Sequence, residues 1–398
     1  MGVDYSKRLE RAKYHFLQSN ENDENKRKII EFIDYLIAND ISPVRRLKYF
    51  YTLKTIYKNF KKTFTQANKR DIEEFVSWIN TSTYEYWTKR DFKIIIKKFY
   101  KWLREEEGHN FSKYEYPDEV KWINTGKKQN KKKLPNELLN IEDIKKLAEK
   151  ANNLRDRAII LSIYESGARI GEILNIRIKD LENDKYGSLI NLSGKKGPRK
   201  IRIIASSPAI NNWLLEHPNR QNKNAFLFCG IWGKKRGEEI GYNTINKLLK
   251  ETAEKANINK PVNPHHFRHS RATELAKNFT ESQLCEYLGW VQGSKEAATY
   301  VHLSGRDMDT AVLKMHGIID EEEEKKNKFI TINCPRCKTN NSPGNKFCSN
   351  CSLGLDLLSV KAFEKTKDDF NINFLNFLQD RDLALQTLNA LTKLIQKQ

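Results

Sequence analysis

Residues 121–135 read KWINTGKKQNKKKLP, with six lysines, no acid and a closing proline. A segment this polar has little apolar surface to bury and too much like charge to compact. It reads as an extended linker, so the chain on either side cannot share one core. Lysines this dense can be a solvated spacer, but beside a basic domain they are better used along phosphates. The candidates for that contact are Lys127, Lys128, Lys131, Lys132 and Lys133.

Ahead of the linker the apolar spacing is helical. Ile29, Phe32, Ile33, Leu36 and Ile37 fall at i, i+3, i+4, i+7 and i+8, one amphipathic stripe. A second helix is predicted to open at Ser42-Pro43, the hydroxyl as N-cap and proline at the first helical position, and to carry Leu47, Tyr51 and Tyr57. A third runs from about Lys69 to Trp78, with Ile72, Phe75, Val76 and Ile79 on its stripe. A fourth runs from about Thr88 to Arg104, with Phe92, Ile95, Ile96, Phe99 and Leu103. Residues 1–120 are expected to form a basic helical domain, and 121–135 the linker.

Residues 136–318 read as a second, mainly helical domain with one small β element. Ser188–Leu192 and Lys200–Ile204 are short β-rich runs joined by SGKKGPR, whose glycines and proline make a hairpin with lysines at its tip. The expected class is mainly α with a small β hairpin, an α+β catalytic domain. Residues 319–331 form a charged spacer. In residues 332–354, Cys334, Cys337, Cys348 and Cys351 make two CxxC knuckles with ten residues between them. This is the pattern of a structural zinc ribbon with no open ligand position, and a redox pair is the other reading. The remaining cysteines, Cys229 and Cys285, lie inside apolar runs and read as buried small hydrophobes. Residues 355–398 are expected to form an amphipathic helical tail, packed at home or on a neighbouring protomer.

Charge narrows the partner. Lys and Arg number 71 against 51 Asp and Glu, a formal net charge of +20. Such an excess favours a polyanion, because cations that displace condensed counterions gain affinity for any nucleic acid. The start is charged where a signal peptide needs an apolar core, and no stretch reaches the length of a membrane span. The expectation is a cytoplasmic, nucleoid-associated protein without membrane contact. Phosphate-loop and dinucleotide fingerprints are absent, which leaves ATP and NAD chemistry unsupported.

Four clusters stand out in the second domain. They are Gly167-Ala168-Arg169-Ile170-Gly171-Glu172, then Gly194-Lys195-Lys196-Gly197, then His265-His266-Phe267-Arg268-His269, then Leu288-Gly289-Trp290 through Tyr300-Val301-His302. Each alone has a plain structural explanation. In this order and spacing they resemble the tyrosine recombinase (phage integrase) family, over roughly residues 140–305. YESGARIGEIL is similar to its first arginine box, HHFRHSRATEL to its second, and GWVQGSKEAATYVHLSGRD looks most like archaeal members. Trp290 stands where most of the family has histidine. The cysteine knuckles lie outside the resemblance.

The resemblance implies catalysis by Arg169, Lys195, His265, Arg268, Trp290 and Tyr300. Phosphodiester transfer explains these residue types. Two guanidinium forks can hold the phosphate oxygens bidentately, as lysine cannot, so no metal or ATP is required. Tyr300 would be the nucleophile with His265 as its base, and Lys195, or its neighbour Lys196, would protonate the departing 5′ oxygen. Trp290 can donate one N–H but cannot carry a proton. Glu172 is expected to orient a neighbouring basic side chain, and His269 and His302 to be structural or near phosphate. The implied activity is site-specific recombination of double-stranded DNA through a 3′-phosphotyrosine, with a tetramer on two sites. A type IB topoisomerase-like relaxase and a catalytically inactive DNA-binding regulator are the rivals.

Overall fold

A computed structural model of the chain describes residues 4–18, 23–126, 137–194, 197–303, 316, 329–356, 360–361 and 364–369. The linker lysines Lys127, Lys128, Lys131, Lys132 and Lys133, the tip lysines Lys195 and Lys196, the His302 side chain, most of the 319–331 spacer and nearly all of the tail lie outside the described residues. The chain separates into two compact units, Met1–Lys132 and Lys133–Gln398.

The first unit is helical: α1 (Tyr5–Leu17), α2 (Glu24–Ala38), α3 (Pro43–Asn59), α4 (Lys69–Thr81), α5 (Tyr86–Glu106) and the single turn α6 (Asp118–Lys121). Its core is aromatic, with Phe99 of α5 meeting Phe32 edge-on at 5.4 Å and Phe64 at 5.1 Å between centroids. Helix α3 packs against α1, α2 and α5. It therefore buries a wider face than two turns of spacing suggest: Leu47, Tyr49, Phe50, Leu53 and Ile56. Tyr51 is 41% exposed and Ile37 of α2 is 39% exposed, so both fall outside the stripes assigned to them from spacing. Ser42 stands at the N-cap of α3, but its hydroxyl makes no cap bond. Its carbonyl accepts from the Arg45 and Arg46 N–H groups at 2.9 and 3.0 Å. Helix α4 has the fuller device, a capping box between Asn68 and Asp71.

The second unit is built around α8 (Leu154–Ser166), whose residues from Ala158 to Ser166 are all buried. A helix apolar on every side belongs inside, and α7 (Ile141–Glu149), α10 (Ser207–Leu215) and α12 (Pro264–Leu275) pack around it. Gly167 ends α8 in the left-handed region, φ 54°, where a Cβ would stand 2.7 Å from the Leu288 side chain. Next come α9 (Ile170–Asn175), a 3-10 turn and an antiparallel sheet in the order β1 (Leu181–Asp184), β2 (Gly187–Gly194), β3 (Gly197–Ile203). The hairpin register pairs Ile190 with Ile201 and Gly194 with Gly197. Strand β1, LEND, escapes sequence reasoning because it is short, polar and on an edge. The exit of β3 is fixed to α8 by the buried Glu165 carboxylate, which accepts from the Ile204, Ala205 and Ser206 N–H groups at 2.7, 2.9 and 2.7 Å.

Helices α11 (Tyr242–Lys255), α12, α13 (Glu281–Leu288) and α14 (Lys295–Leu303) follow, then the cysteine module with β4 (Ile332–Asn333) paired to β5 (Asn340–Asn341). The module is docked on α7, α8 and α10. Arg157 donates to the Ala148 carbonyl at 2.8 Å and to Asn345 Oδ1 at 2.5 Å, and Lys346 pairs with Glu149 at 2.6 Å. The Ser342 hydroxyl accepts from the Ala209 N–H of α10 at 3.0 Å, satisfying a donor that its own helix cannot. Cys229 and Cys285 are buried. Among the described residues no helix is long and apolar enough to cross a membrane.

Candidate active site

The last carbonyls of α13 and its cap are approached by three guanidinium groups from three separate elements. Arg199 of β3 donates to the Tyr287 carbonyl at 2.9 Å, Arg268 of α12 to that of Leu288 at 2.7 Å, and Arg169 ahead of α9 to that of Gly289 at 3.1 Å. A helix C-terminus leaves carbonyls unpaired and carries partial negative charge, so cations gather there. The turn from α13 into Trp290 thereby becomes the frame on which the arginines are placed.

Glu172 ties two of them together. Its carboxylate is 4% exposed and accepts both forks of Arg199, at 2.8 and 2.9 Å. The Arg169 backbone N–H reaches it at 2.8 Å and the Arg169 guanidinium makes one longer contact at 3.3 Å. Burial alone would raise this carboxyl; the Arg199 fork and the Arg169 N–H outweigh it and hold Glu172 below the usual range. Gly194, the last residue of β2, lies so close that a Cβ would stand 2.3 Å from Glu172 Oε1. This is the physical reason for a glycine before the hairpin tip.

Arg268 is buried, and its second fork donates to the Gly167 carbonyl at 2.7 Å. Burial, and after it the charge of Arg169, lowers its pKa to about 10. Its guanidinium lies 5.4 Å from the Trp290 ring, and that ring stacks on Tyr300 at 5.2 Å with 12° between planes. Tyr300 is buried in α14, and its hydroxyl is in hydrogen-bond contact with Nδ1 of His269. Burial, then the nearby Glu296 carboxylate, pushes the phenol up to about 12, while Arg268 acts the other way.

Of the residues singled out from sequence, Arg169, Glu172, Arg268, Trp290 and Tyr300 converge around this turn. His265 is exposed, with its ring edge-on to His269 at 4.2 Å. The nitrogen at the Tyr300 hydroxyl belongs to His269, which sequence reasoning assigned to a structural or phosphate-proximal place. The two histidines are four residues apart on α12 and share a face. Only the packing of α14 distinguishes them. Arg199 was missed altogether, and the available signal was an arginine just past the hairpin tip, opposite Leu192 in register. A buried phenol, a histidine at its oxygen and convergent guanidinium groups can perform nucleophilic attack on a phosphodiester.

Away from this centre, the sulfurs of Cys334, Cys337, Cys348 and Cys351 all lie within 4.8 Å of one another and can hold a metal ion. Cys334 and Cys351 are 3.6 Å apart, Cys337 and Cys348 3.5 Å. Thiolates about 2.3 Å from a tetrahedral ion stand about 3.8 Å from each other, so the donor set fits. Each knuckle turns alike: Lys338 and Ser352 have positive φ, 58° and 56°. Their N–H groups return to the Cys334 and Cys348 carbonyls, both at 2.9 Å.

Residues 137–306 match the sequence model of the phage integrase family. The chain is similar to a protein named tyrosine recombinase XerA from Pyrococcus furiosus, 28% identical over 183 residues, which is 46% of this chain and 62% of that protein. It is also similar to the XerA of Pyrococcus horikoshii, 30% identical over 158 residues, covering 39% and 53%. The chain thus spans little more than half the length of these relatives. In fold it is similar to the XerH site-specific recombinase solved with a palindromic difH substrate. That comparison has a TM-score of 0.57 and 20% identity, and covers 77% of this chain and 88% of the other.

Proposed function

We propose, from the match of residues 137–306 to the phage integrase family, that this chain is a site-specific DNA recombinase of the tyrosine class, acting on double-stranded DNA without metal or ATP in the chemical step. The observation that carries this reading is the Tyr300 hydroxyl at His269, beside a Trp290 ring faced by Arg268. In the proposed reaction the Tyr300 oxygen attacks phosphorus while its proton passes to a histidine. His269 is the one in contact, and His265 is the family-matched alternative. Arg169 and Arg268 hold the non-bridging oxygens where charge accumulates, and Trp290 adds an N–H donor. The 5′ oxygen leaves with a proton from Lys195, with Lys196 the alternative. The product is a 3′-phosphotyrosine that keeps the ester, so a DNA 5′-hydroxyl can reverse the step and complete strand exchange. A phenol resting near 12 stays protonated at neutral pH, which keeps the nucleophile quiet until phosphate and base are together.

The linker lysines 127, 128, 131, 132 and 133 would lie along DNA phosphates. Four strands need four nucleophiles, so the working assembly would be a tetramer on two sites. The four cysteines would hold one structural zinc ion, whose chemistry is to fix the two knuckles. A cytoplasmic, nucleoid-associated location follows from the substrate.

The test is a suicide DNA substrate nicked next to the crossover. A covalent protein–DNA adduct mapping to Tyr300, formed in EDTA, is expected. DNA binding without any adduct would instead make the protein a regulator on a recombinase scaffold.

A further inference from the structure

Glu172 raises an electrostatic difficulty for the chemistry just proposed, on which this inference rests. A buried carboxylate one turn from Arg169, already within 3.3 Å of its guanidinium, could claim that arginine for itself. A closed Arg169–Glu172 pair would be neutral, and the phosphate would lose one of its two cations. The structure avoids this. Both Glu172 oxygens receive Arg199, at 2.8 and 2.9 Å, whereas Arg169 gives Glu172 one long contact and keeps its side chain 41% exposed. Arg199 is 11% exposed and donates its Nε–H to the Tyr287 carbonyl, so it is dedicated to this place.

We propose that Arg199 is a positioning residue of the reaction: it neutralises the Glu172 carboxylate and so leaves the Arg169 guanidinium free for the scissile phosphate. Three arginines and one carboxylate then give a net charge of two, matching the two guanidinium groups assigned to the phosphate. The geometry favours the fork of Arg199 over any other cation, because a bidentate pair satisfies both oxygens in one orientation. Burial first, and after it the charges of Arg169 and Arg199, lower the pKa of Arg268, while Glu172 acts the other way. Arg199 also joins three segments in one side chain: β3, the start of α9 through Glu172, and the end of α13 through Tyr287.

Removing Arg199 leaves Glu172 uncompensated, so Arg199→Ala should slow adduct formation on the nicked substrate by at least about 100-fold, comparable with loss of a transition-state donor. DNA affinity should change by less than about threefold, since the Arg199 side chain is 11% exposed and committed to Glu172 and the Tyr287 carbonyl. Adding Glu172→Gln should then help rather than harm, because the competing charge is gone. The double variant is expected to recover roughly tenfold over Arg199→Ala. Arg199→Lys, which keeps the charge but loses the fork, should fall between wild type and Arg199→Ala. Thermal midpoints of all four proteins are measured alongside, and Arg199→Lys serves if Arg199→Ala does not fold. A double variant no faster than Arg199→Ala, with both folded, overturns the inference. So does an Arg199→Lys protein at the wild-type rate, or one as slow as an Arg169→Ala control. Failure of the wild-type chain to form any adduct overturns the underlying recombinase reading instead, so the two failures are separable.

Discussion

Nδ1 of His269 meets the hydroxyl of Tyr300, and His265 stands one helical turn before it on the same face of α12. With its proton on Nε2, His269 can accept the phenolic hydrogen directly. His269→Phe should therefore slow adduct formation by about 100-fold or more at neutral pH. An unchanged rate in His269→Phe with a large loss in His265→Phe would return the base to His265.

Tyr300→Phe should abolish the adduct and recombination while leaving DNA binding within about twofold, because only the nucleophilic oxygen is removed. Tyr287 is the informative control. Its hydroxyl is occupied by the Glu165 and Arg202 carbonyls, both at 3.2 Å, and burial pushes it up to about 12. Peptide mapping that placed the adduct on Tyr287 would defeat the assignment.

Arg169→Lys and Arg268→Lys keep their charge and lose the fork, and each should cost about 100-fold or more in cleavage. Their stabilities should part. Arg169 is half exposed, so its lysine variant should melt close to wild type. Arg268 is buried and satisfies both the Gly167 and Leu288 carbonyls. Leaving these unpaired should lower stability by about 1–3 kcal/mol. Equal melting temperatures for the two variants would contradict the structural share given to Arg268.

The local parts of this architecture were legible in the sequence, and the non-local parts were not. Periodic apolar residues such as Phe92, Ile95, Ile96 and Phe99 announced α5, and the glycines around the lysine pair announced the β2–β3 hairpin. The paired cysteines announced a cluster of four sulfurs close enough to hold a metal ion. The place of Arg199 just past the hairpin tip was visible, but its role was not, because that role is a partner 27 residues away on another element. The His269 contact was hidden for a related reason: helical spacing puts His265 and His269 on one face and says nothing about where α14 lands. Ile37 of α2 and Tyr51 of α3 were placed on apolar stripes by spacing alone, and the packing of the two helices leaves both exposed.

Glu172 gives a pH signature. Its carboxyl is held below the ordinary range in the folded protein, against a reference near 4.3 in the unfolded chain. The folded state therefore favours the charged form. The stability this contributes is fully present above about pH 5 and is lost as pH falls through the folded pKa. Glu172→Gln should be less stable than wild type at pH 7, and the gap in urea midpoint should narrow below about pH 4. A gap that stays constant from pH 7 to pH 3 would mean that Glu172 acts by shape alone.

The cysteine module supplies the last prediction. It is tied to the rest of the second unit by Arg157–Asn345, Lys346–Glu149 and Ser342–Ala209, at α8, α7 and α10 in turn, and α8 ends at Gly167 beside Arg268. Metal that orders the knuckles should thus stabilise α7, α8 and α10 as well, since binding free energy at such a site is folding free energy. EDTA that leaves the bound ion in place should not slow adduct formation. Stripping the ion with a stronger chelator, or Cys348→Ser, should lower the melting midpoint of the catalytic domain by about 3–10 °C, and activity should persist when assayed in the cold. Arg157→Ala breaks the dock without touching a ligand, so it should lower the midpoint of the metal-loaded protein and reduce the further drop on stripping. If stripping leaves the catalytic midpoint unchanged in the wild-type protein, the module is a passenger and the contacts at Arg157 do not transmit its stability.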